Sequence, residues 1–429
     1  MKKIKLTALE RSWILYDIGN SAFILLVSTL IPIYFNDLAT TGGLNESLYL
    51  SYWGYAGSVS TLLVAVIGPI CGTLADHRGF KKPIFMACML LGVLGCAAMG
   101  VTAGWLAFLV VFVLAKVGYS SSLVFYDAML PEVTTDERMD TVSSMGYAYG
   151  YIGSVIPFIL CLLLVLFGGK IGIGAGTAMV VSFLITAVWW FVCTQPLLKR
   201  YRQTAFVEHG GNPVSSTFRR LIDTFREVRQ QKHIFLYLLA FFFFIDGVYT
   251  IIDMATAYGT ALGLNTTGLL LALLLTQFVA FPCSIAFGRF SAKYDTGLLI
   301  KICILCYTGI TLFAVFLVSQ WQFWVLAVLV GMFQGGIQAL SRSYLGKIIP
   351  AERSGEYFGL MDICGKGASF LGTTLIAMVS QFTDGQSFHV FGLELQNENI
   401  AVGTLVVIFA IGFVLFCKAD RLNKQYIHI

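Results

Sequence analysis

The 429-residue chain is 57% hydrophobic and only 12% charged, with a mean hydropathy of +0.80. Soluble domains carry about 25% charged residues, so too little charge is left to cover a water-soluble body of this size. The net charge of +5 is gathered in particular connecting segments rather than on one face; this excludes a nucleic-acid-binding surface and reads as a topology signal.

A helix crosses a bilayer with about 20 apolar residues. Lys2, Lys3 and Lys5 precede Glu10 and Arg11, and then Trp13–Phe35 runs apolar. That run is too long for the core of a cleavable signal, so it reads as the first span. Further spans are predicted at Ser51–Ala75, Pro83–Thr102, Trp105–Leu130, Ser144–Phe167 and Ala175–Cys193. A second set follows at Ile234–Tyr258, Thr267–Phe287, Leu298–Val318, Phe323–Tyr344, Tyr357–Phe382 and Ile400–Phe416. The runs are continuous rather than alternating, which gives helices and not a barrel. The expected fold class is therefore an all-α polytopic membrane protein of twelve helices in two sets of six.

Residues 194–233 form the long polar connection, rich in Arg and Lys. Within it Ser216–Gln231 spaces Phe218, Leu221, Ile222 and Phe225 as an amphipathic surface helix would. The expected division is an N-terminal bundle at 1–193, a linker at 194–233 and a C-terminal bundle at 234–429. If the N-terminus is placed in the cytoplasm, only Lys170 of the 28 Lys and Arg residues falls in an outer loop, while Lys116, Arg342 and Lys366 fall inside spans. This bias places both termini in the cytoplasm.

The halves repeat. Gly72-Thr-Leu-Ala-Asp76-His-Arg78-Gly79 follows the second span and Gly288-Arg289-Phe-Ser-Ala-Lys293 follows the eighth. Pro131 with Glu137-Arg138 follows the fourth, and Pro350 with Glu352-Arg353 follows the tenth. Parallel six-helix repeats mark one large transporter architecture.

Gly72–Lys82 (GTLADHRGFKK) resembles the loop motif of the major facilitator superfamily, with His77 and Phe80 as departures. Ser12-Trp-Ile-Leu-Tyr-Asp17-Ile-Gly-Asn20-Ser-Ala-Phe23 resembles the opening of the family of vacuolar amino-acid effluxers of autophagy and their bacterial relatives. So do Val142-Ser-Ser-Met-Gly146 with Gly150-Tyr-Ile-Gly153, and Gly335-Gly-Ile-Gln338-Ala-Leu-Ser-Arg342-Ser with Glu356-Tyr-Phe-Gly359. The resemblance implies the major facilitator fold, with helices one, four, seven and ten lining a central cavity. It also implies that Gly72, Asp76 and Arg78 act as a cytoplasmic gate holding the halves together. The second-half loop has Ala292 where Asp76 would align, so no matching lock is expected there.

Charges inside a bilayer cost about 2.5–3.5 kcal/mol each at helix centre on insertion scales, so those within spans should face a cavity or each other. Asp17, Asp127, Asp246, Asp253 and Asp362 fall within spans, as do Lys116, Arg342 and Lys366. Asp246 lies roughly 18 Å into the seventh span, near the midplane. Gln334, Gln338 and Arg342 form one stripe on the tenth helix; Lys116, Ser120 and Asp127 share a face of the fourth; Asp17 and Asn20 share a face of the first. Asp362 and Lys366 stand four apart and can pair. Leaving out Asp253, which lies close to the outer surface, the other eleven residues are the candidate substrate or coupling-ion sites, with Asp246 first and Asp17 second.

No P-loop, nucleophile elbow or zinc-helix pattern is present, and the one CxxC, Cys303 to Cys306, lies inside a span without metal-ligand company. No enzyme activity, cofactor or metal is expected. The expected function is secondary transport by alternating access, driven by protons or sodium. The cargo would be a small polar or zwitterionic solute such as an amino acid, exported by a monomer in a bacterial inner membrane. A multidrug or lipid-like amphiphile exporter, and a sensor or scaffold on the same fold, are the alternatives.

Overall fold

The computed structural model describes residues 5–44, 46–208, 226–383, 388–390, 393–395 and 397–427. In chain order the helices are α1 (Ala8–Ser28), α2 (Leu30–Thr41), α3 (Glu46–Ala75), α4 (Lys81–Ala98), α5 (Trp105–Ala128), α6 (Leu130–Val133), α7 (Asp136–Phe167) and α8 (Ala175–Arg200). They continue with α9 (Lys232–Ala261), α10 (Thr266–Phe290), α11 (Thr296–Val315), α12 (Gln320–Ile348), α13 (Ser354–Phe382), α14 (Asn397–Gly403) and α15 (Leu405–Ile427). Among the described residues eleven helices are long and apolar enough to cross a membrane, and the bent pair α1–α2 makes up to twelve.

Local chemistry sets these ends. At the start of α1 the Thr7 hydroxyl accepts from the Glu10 amide at 3.1 Å, and the Glu10 carboxylate accepts from the Thr7 amide at 2.7 Å. This reciprocal cap satisfies two donors that the first turn leaves unpaired. The first predicted span is bent by 42° where α1 gives way to α2. Pro32 has no N–H for the Ser28 carbonyl and its ring crowds that carbonyl, which favours a bend at this point. At α11 the Asp295 carboxylate accepts from the Leu298 amide at 3.1 Å. One feature departs from the all-helical expectation: strands β1 (Phe388–Val390) and β2 (Leu393–Leu395) pair antiparallel between α13 and α14, Phe388 opposite Leu395.

The chain forms two compact units. The first holds residues up to Thr135, the described part of Tyr149–Arg219, and Ala351–Gly359. The second holds Asp136–Ala148, the described part of Arg220–Pro350, and Leu360 onward. Each unit thus contains a short segment that the expected boundaries, 1–193 and 234–429, would give to the other. The proposed amphipathic helix at Ser216–Gln231 lies mostly outside the described residues; 226–230 is helical.

Each unit has an aromatic core. In the first, Trp13 stacks on Tyr126 with ring centres 4.2 Å apart, and its indole N–H donates to the Tyr126 carbonyl at 2.9 Å. In the second, Tyr237, Tyr344 and Phe416 pack together and the Tyr237 hydroxyl donates to the Ser341 carbonyl at 2.6 Å. The outer faces are inverted relative to a soluble protein. Leu62 and Leu94 are 67% and 65% exposed while Asp17, Asp246 and Arg342 are buried. That pattern is stable only where the surrounding solvent is hydrocarbon.

Candidate functional site

In the first unit, loop 76–80 meets the start of α13. Asp76 is fully buried, and its two carboxylate oxygens accept from the Gly355 amide at 2.8 Å and the Glu356 amide at 2.9 Å. The carboxylate therefore sits on the first turn of α13, where unpaired N–H groups and the helix dipole favour an anion. Gly72 makes this approach possible. A Cβ built on it would stand 2.3 Å from the Gly355 carbonyl oxygen.

Lys81, also fully buried, completes the cluster. Its Nζ donates to Glu132 Oε1 at 2.7 Å and to Ser354 Oγ at 2.8 Å, and lies 3.7 Å from Asp76. Burial pushes the Asp76 carboxyl up to about 7; Glu356 adds to the rise, while Lys81 and the two backbone N–H groups oppose it. Arg78, expected to share the gate with Asp76, does not reach α13. Its side chain is exposed, lies over the Phe206 ring at 5.2 Å and stands 3.9 Å from Glu208. The buried cation of the cluster is Lys81, because the turn at Gly79 (φ +82°) carries the chain past Arg78 and back inward at the start of α4.

The second unit holds a comparable cluster that its own loop does not provide. Ala292 offers no carboxylate, but Asp140 of α7 does. It accepts from Ser343 Oγ at 2.5 Å, Thr296 Oγ1 at 2.6 Å and Lys347 Nζ at 2.6 Å. Beside it, Arg342 donates to the Ser143 hydroxyl at 2.9 Å and to the Ser143 carbonyl at 3.0 Å, and stacks over Tyr147 at 4.5 Å. Arg342 is thus committed to α7 rather than standing open at the end of the glutamine stripe. Asp140→Ala strips three donors of their acceptor. It is expected to destabilise the second unit by about 2 kcal/mol, less than a fully buried pair because Lys347 is a quarter exposed; thermal unfolding in detergent measures it.

The remaining candidates divide between the units. In the first, Asp17 is buried on α1 and accepts from the Tyr126 hydroxyl at 3.0 Å, whereas Asn20 turns back to the Tyr16 carbonyl at 3.1 Å. On α5, Lys116 is half-buried near the Phe112 ring, Ser120 is buried and Asp127 is half-buried. In the second unit Gln334 is buried and Gln338 half-buried on α12, and Asp362 and Lys366 pair within α13. Asp246 on α9 is fully buried. Its Oδ1 accepts from the Gly372 amide at 2.9 Å and faces Thr250 Oγ1 at 3.5 Å; among the described residues its Oδ2 has no hydrogen-bond partner. Lys81, Glu132, Asp140 and Lys347 were not singled out from the sequence. Charge at a span end reads as ordinary topology there, and only the approach of segments distant in sequence shows it to be buried.

Residues 9–395 match the family described as vacuole effluxer Atg22 like. The chain belongs to that family. An uncharacterized MFS-type transporter of Bacillus subtilis, YxiO, is 38% identical over 416 residues, covering 96% of this chain and 94% of the relative. Autophagy-related protein 22-1 of Aspergillus fumigatus is 25% identical over 266 residues, covering 56% of this chain but 43% of the fungal protein. Among solved structures, the FucP transporter in its outward conformation superposes with a TM-score of 0.70 at 14% identity, covering 96% and 97% of the two chains. A bacterial homologue of the iron transporter ferroportin does so with 0.68 at 14%, covering 96% and 98%. At such identities the likeness concerns the fold, which is that of the major facilitators. This member of the Atg22-like family is accordingly a multi-pass integral membrane protein and a secondary transporter, not an enzyme.

Proposed function

We propose that this chain is a proton-driven carrier that exports amino acids or similar zwitterionic solutes from a bacterial cell, working by alternating access with both termini in the cytoplasm. The observation that carries the proton is Asp246. It lies about 21 Å along the axis from Lys232, near the middle of a hydrocarbon core about 30 Å thick. One of its oxygens accepts a backbone N–H and the other is buried with no hydrogen-bond partner among the described residues. An ionised carboxylate left so is costly by several kcal/mol, whereas a protonated one is not. Loading and release of a proton there would change the preferred arrangement of α9 against α13. The direction is supported by the family's description as effluxers and the bacterial membrane by the Bacillus relative. Asp17 and Lys116 in the first unit offer opposite charges to an ammonium and a carboxylate.

Purified protein in liposomes, screened with labelled amino acids under an imposed pH gradient, tests this reading. Accumulation of at least one amino acid, abolished by a protonophore, is expected. If no amino acid moves and an amphiphilic dye does, the amphiphile-exporter reading replaces it.

A further inference from the structure

The start of the linker is laid along loop 76–80, and its contacts are with the peptide groups that the two flanking helices leave unpaired. Gln203 reaches both helix ends at once. Its Nε2 donates to the carbonyl of Ala75, the last residue of α3, at 3.0 Å. Its Oε1 accepts from the amides of Gly79 at 2.9 Å and of Lys81, the first residue of α4, at 3.4 Å. Four residues on, the Val207 amide donates to the Asp76 carbonyl at 2.9 Å, and Val207 bridges His77 in parallel fashion. The same stretch encloses Glu132. Tyr201 Oη donates to Glu132 Oε1 at 2.8 Å, and the Thr204 and Ala205 amides donate to Oε2 at 2.6 and 3.1 Å. Glu132 in turn holds Lys81, which touches Ser354 at the head of α13.

We infer that residues 201–207 are a strap that positions the Asp76 cap on α13. Gln203 fixes the path of the loop that aims the Asp76 carboxylate. Tyr201, Thr204 and Ala205 hold Glu132 where Lys81 can neutralise the cluster. Without the strap, Ala75, Gly79 and Lys81 would each have a backbone group to satisfy elsewhere, and a loop with a left-handed glycine at its centre would have no fixed course. Gln203 and its neighbours are positioning residues: their hydrogen bonds go to Ala75, Asp76, Gly79, Lys81 and Glu132 rather than to α13. The linker then does more than join two bundles: whatever draws residues 201–207 off the loop releases the head of α13. This goes beyond the carrier reading and does not depend on which solute or ion is moved.

Hydrogen–deuterium exchange of the full-length protein tests it, because the Gly355 and Glu356 amides are the ones Asp76 caps. Gln203→Ala is expected to speed their exchange about tenfold, with the aromatic cores of both units unchanged. Gln203→Glu, which keeps the acceptor for Gly79 and Lys81 but not the donor to Ala75, is expected to recover part of the protection. Arg78→Ala, which removes exposed contacts with Phe206 and Glu208 but none of the hydrogen bonds to Ala75, Asp76, Gly79, Lys81 or Glu132, is expected to leave exchange as it is. Should Gln203→Ala not fold, Thr204→Pro at an exposed position deletes both the amide and the hydroxyl donor of Thr204 to Glu132 and carries the same expectation. Protection at residues 355–356 that is unaltered, or lost no more than in the rest of the protein, overturns the proposal.

Discussion

Asp246→Asn is expected to reduce pH-driven solute accumulation in liposomes by about 100-fold while leaving exchange of labelled for unlabelled solute within a fewfold of the parent protein. Asparagine keeps the size of the side chain and an acceptor for the Gly372 amide, so the packing of α9 on α13 survives. What it removes is the ability to ionise. A carrier with a permanently neutral group at that depth can still rock with solute bound, but it lacks the group through which the proposed mechanism lets a proton gradient bias the direction. The contact leaves no room for other repairs. A Cβ built on Gly372 would stand 2.3 Å from Thr250 Oγ1 and 3.0 Å from Asp246 Oδ1, so Gly372→Val is expected to impair accumulation and exchange together. Full pH-driven accumulation by Asp246→Asn would remove Asp246 from the coupling role.

Gly355→Ala is expected to abolish the cap on α13 altogether. A Cβ there would fall 2.4 Å from the Gly72 carbonyl oxygen and 2.8 Å from Asp76 Oδ1. The first of these atoms is backbone inside a helix and cannot move aside cheaply. Loss of transport by about 100-fold is expected if closing this end is an obligatory step, together with fast exchange of the Glu356 amide.

The cap should also answer to pH. In the capped arrangement Asp76 titrates near 7 because it is buried; exposed to water it would titrate near 4. Between those values the capped form holds a proton that the open form has lost. Its advantage is therefore full below about 4 and is lost as pH rises through about 7. The charges that face Asp76 are Lys81 and Glu356; Glu132 stands behind Lys81, and Arg353 pairs with Glu356 at 2.9 Å. Exchange at Gly355 and Glu356, corrected for its intrinsic pH dependence, should quicken on going from pH 6 to pH 8. Asp76→Asn should flatten that dependence. An unchanged profile in Asp76→Asn would assign the titration to another group.

The sequence by itself determined the class of the molecule, the number and nearly the bounds of its spans, and which side chains are improbable in lipid. Those properties are local sums: about twenty apolar residues in a row satisfy their own backbone in hydrocarbon whatever their neighbours do, and Asp17, Asp246 and the α12 stripe are conspicuous for being polar within such runs. The bend in the first span was not read from the sequence: Pro32 is visible there, but Pro69, Pro157, Pro196 and Pro282 lie inside unbroken helices. Partnership was decided only by the tertiary structure. Asp76 was singled out together with Arg78 through its motif, yet the turn at Gly79 delivers Lys81 as the buried cation beside it and leaves Arg78 exposed. Ala292 argued against a second carboxylate lock, and Asp140 supplies a carboxylate from α7, about 150 residues earlier in the chain. Arg342, the end of a cavity stripe by its spacing, is held by Ser143 and Tyr147. In each case the residue types are visible in the sequence, yet hydrogen bonds act over about 3 Å, and which distant segments come that close is fixed by how helices pack, not by any pattern within one of them.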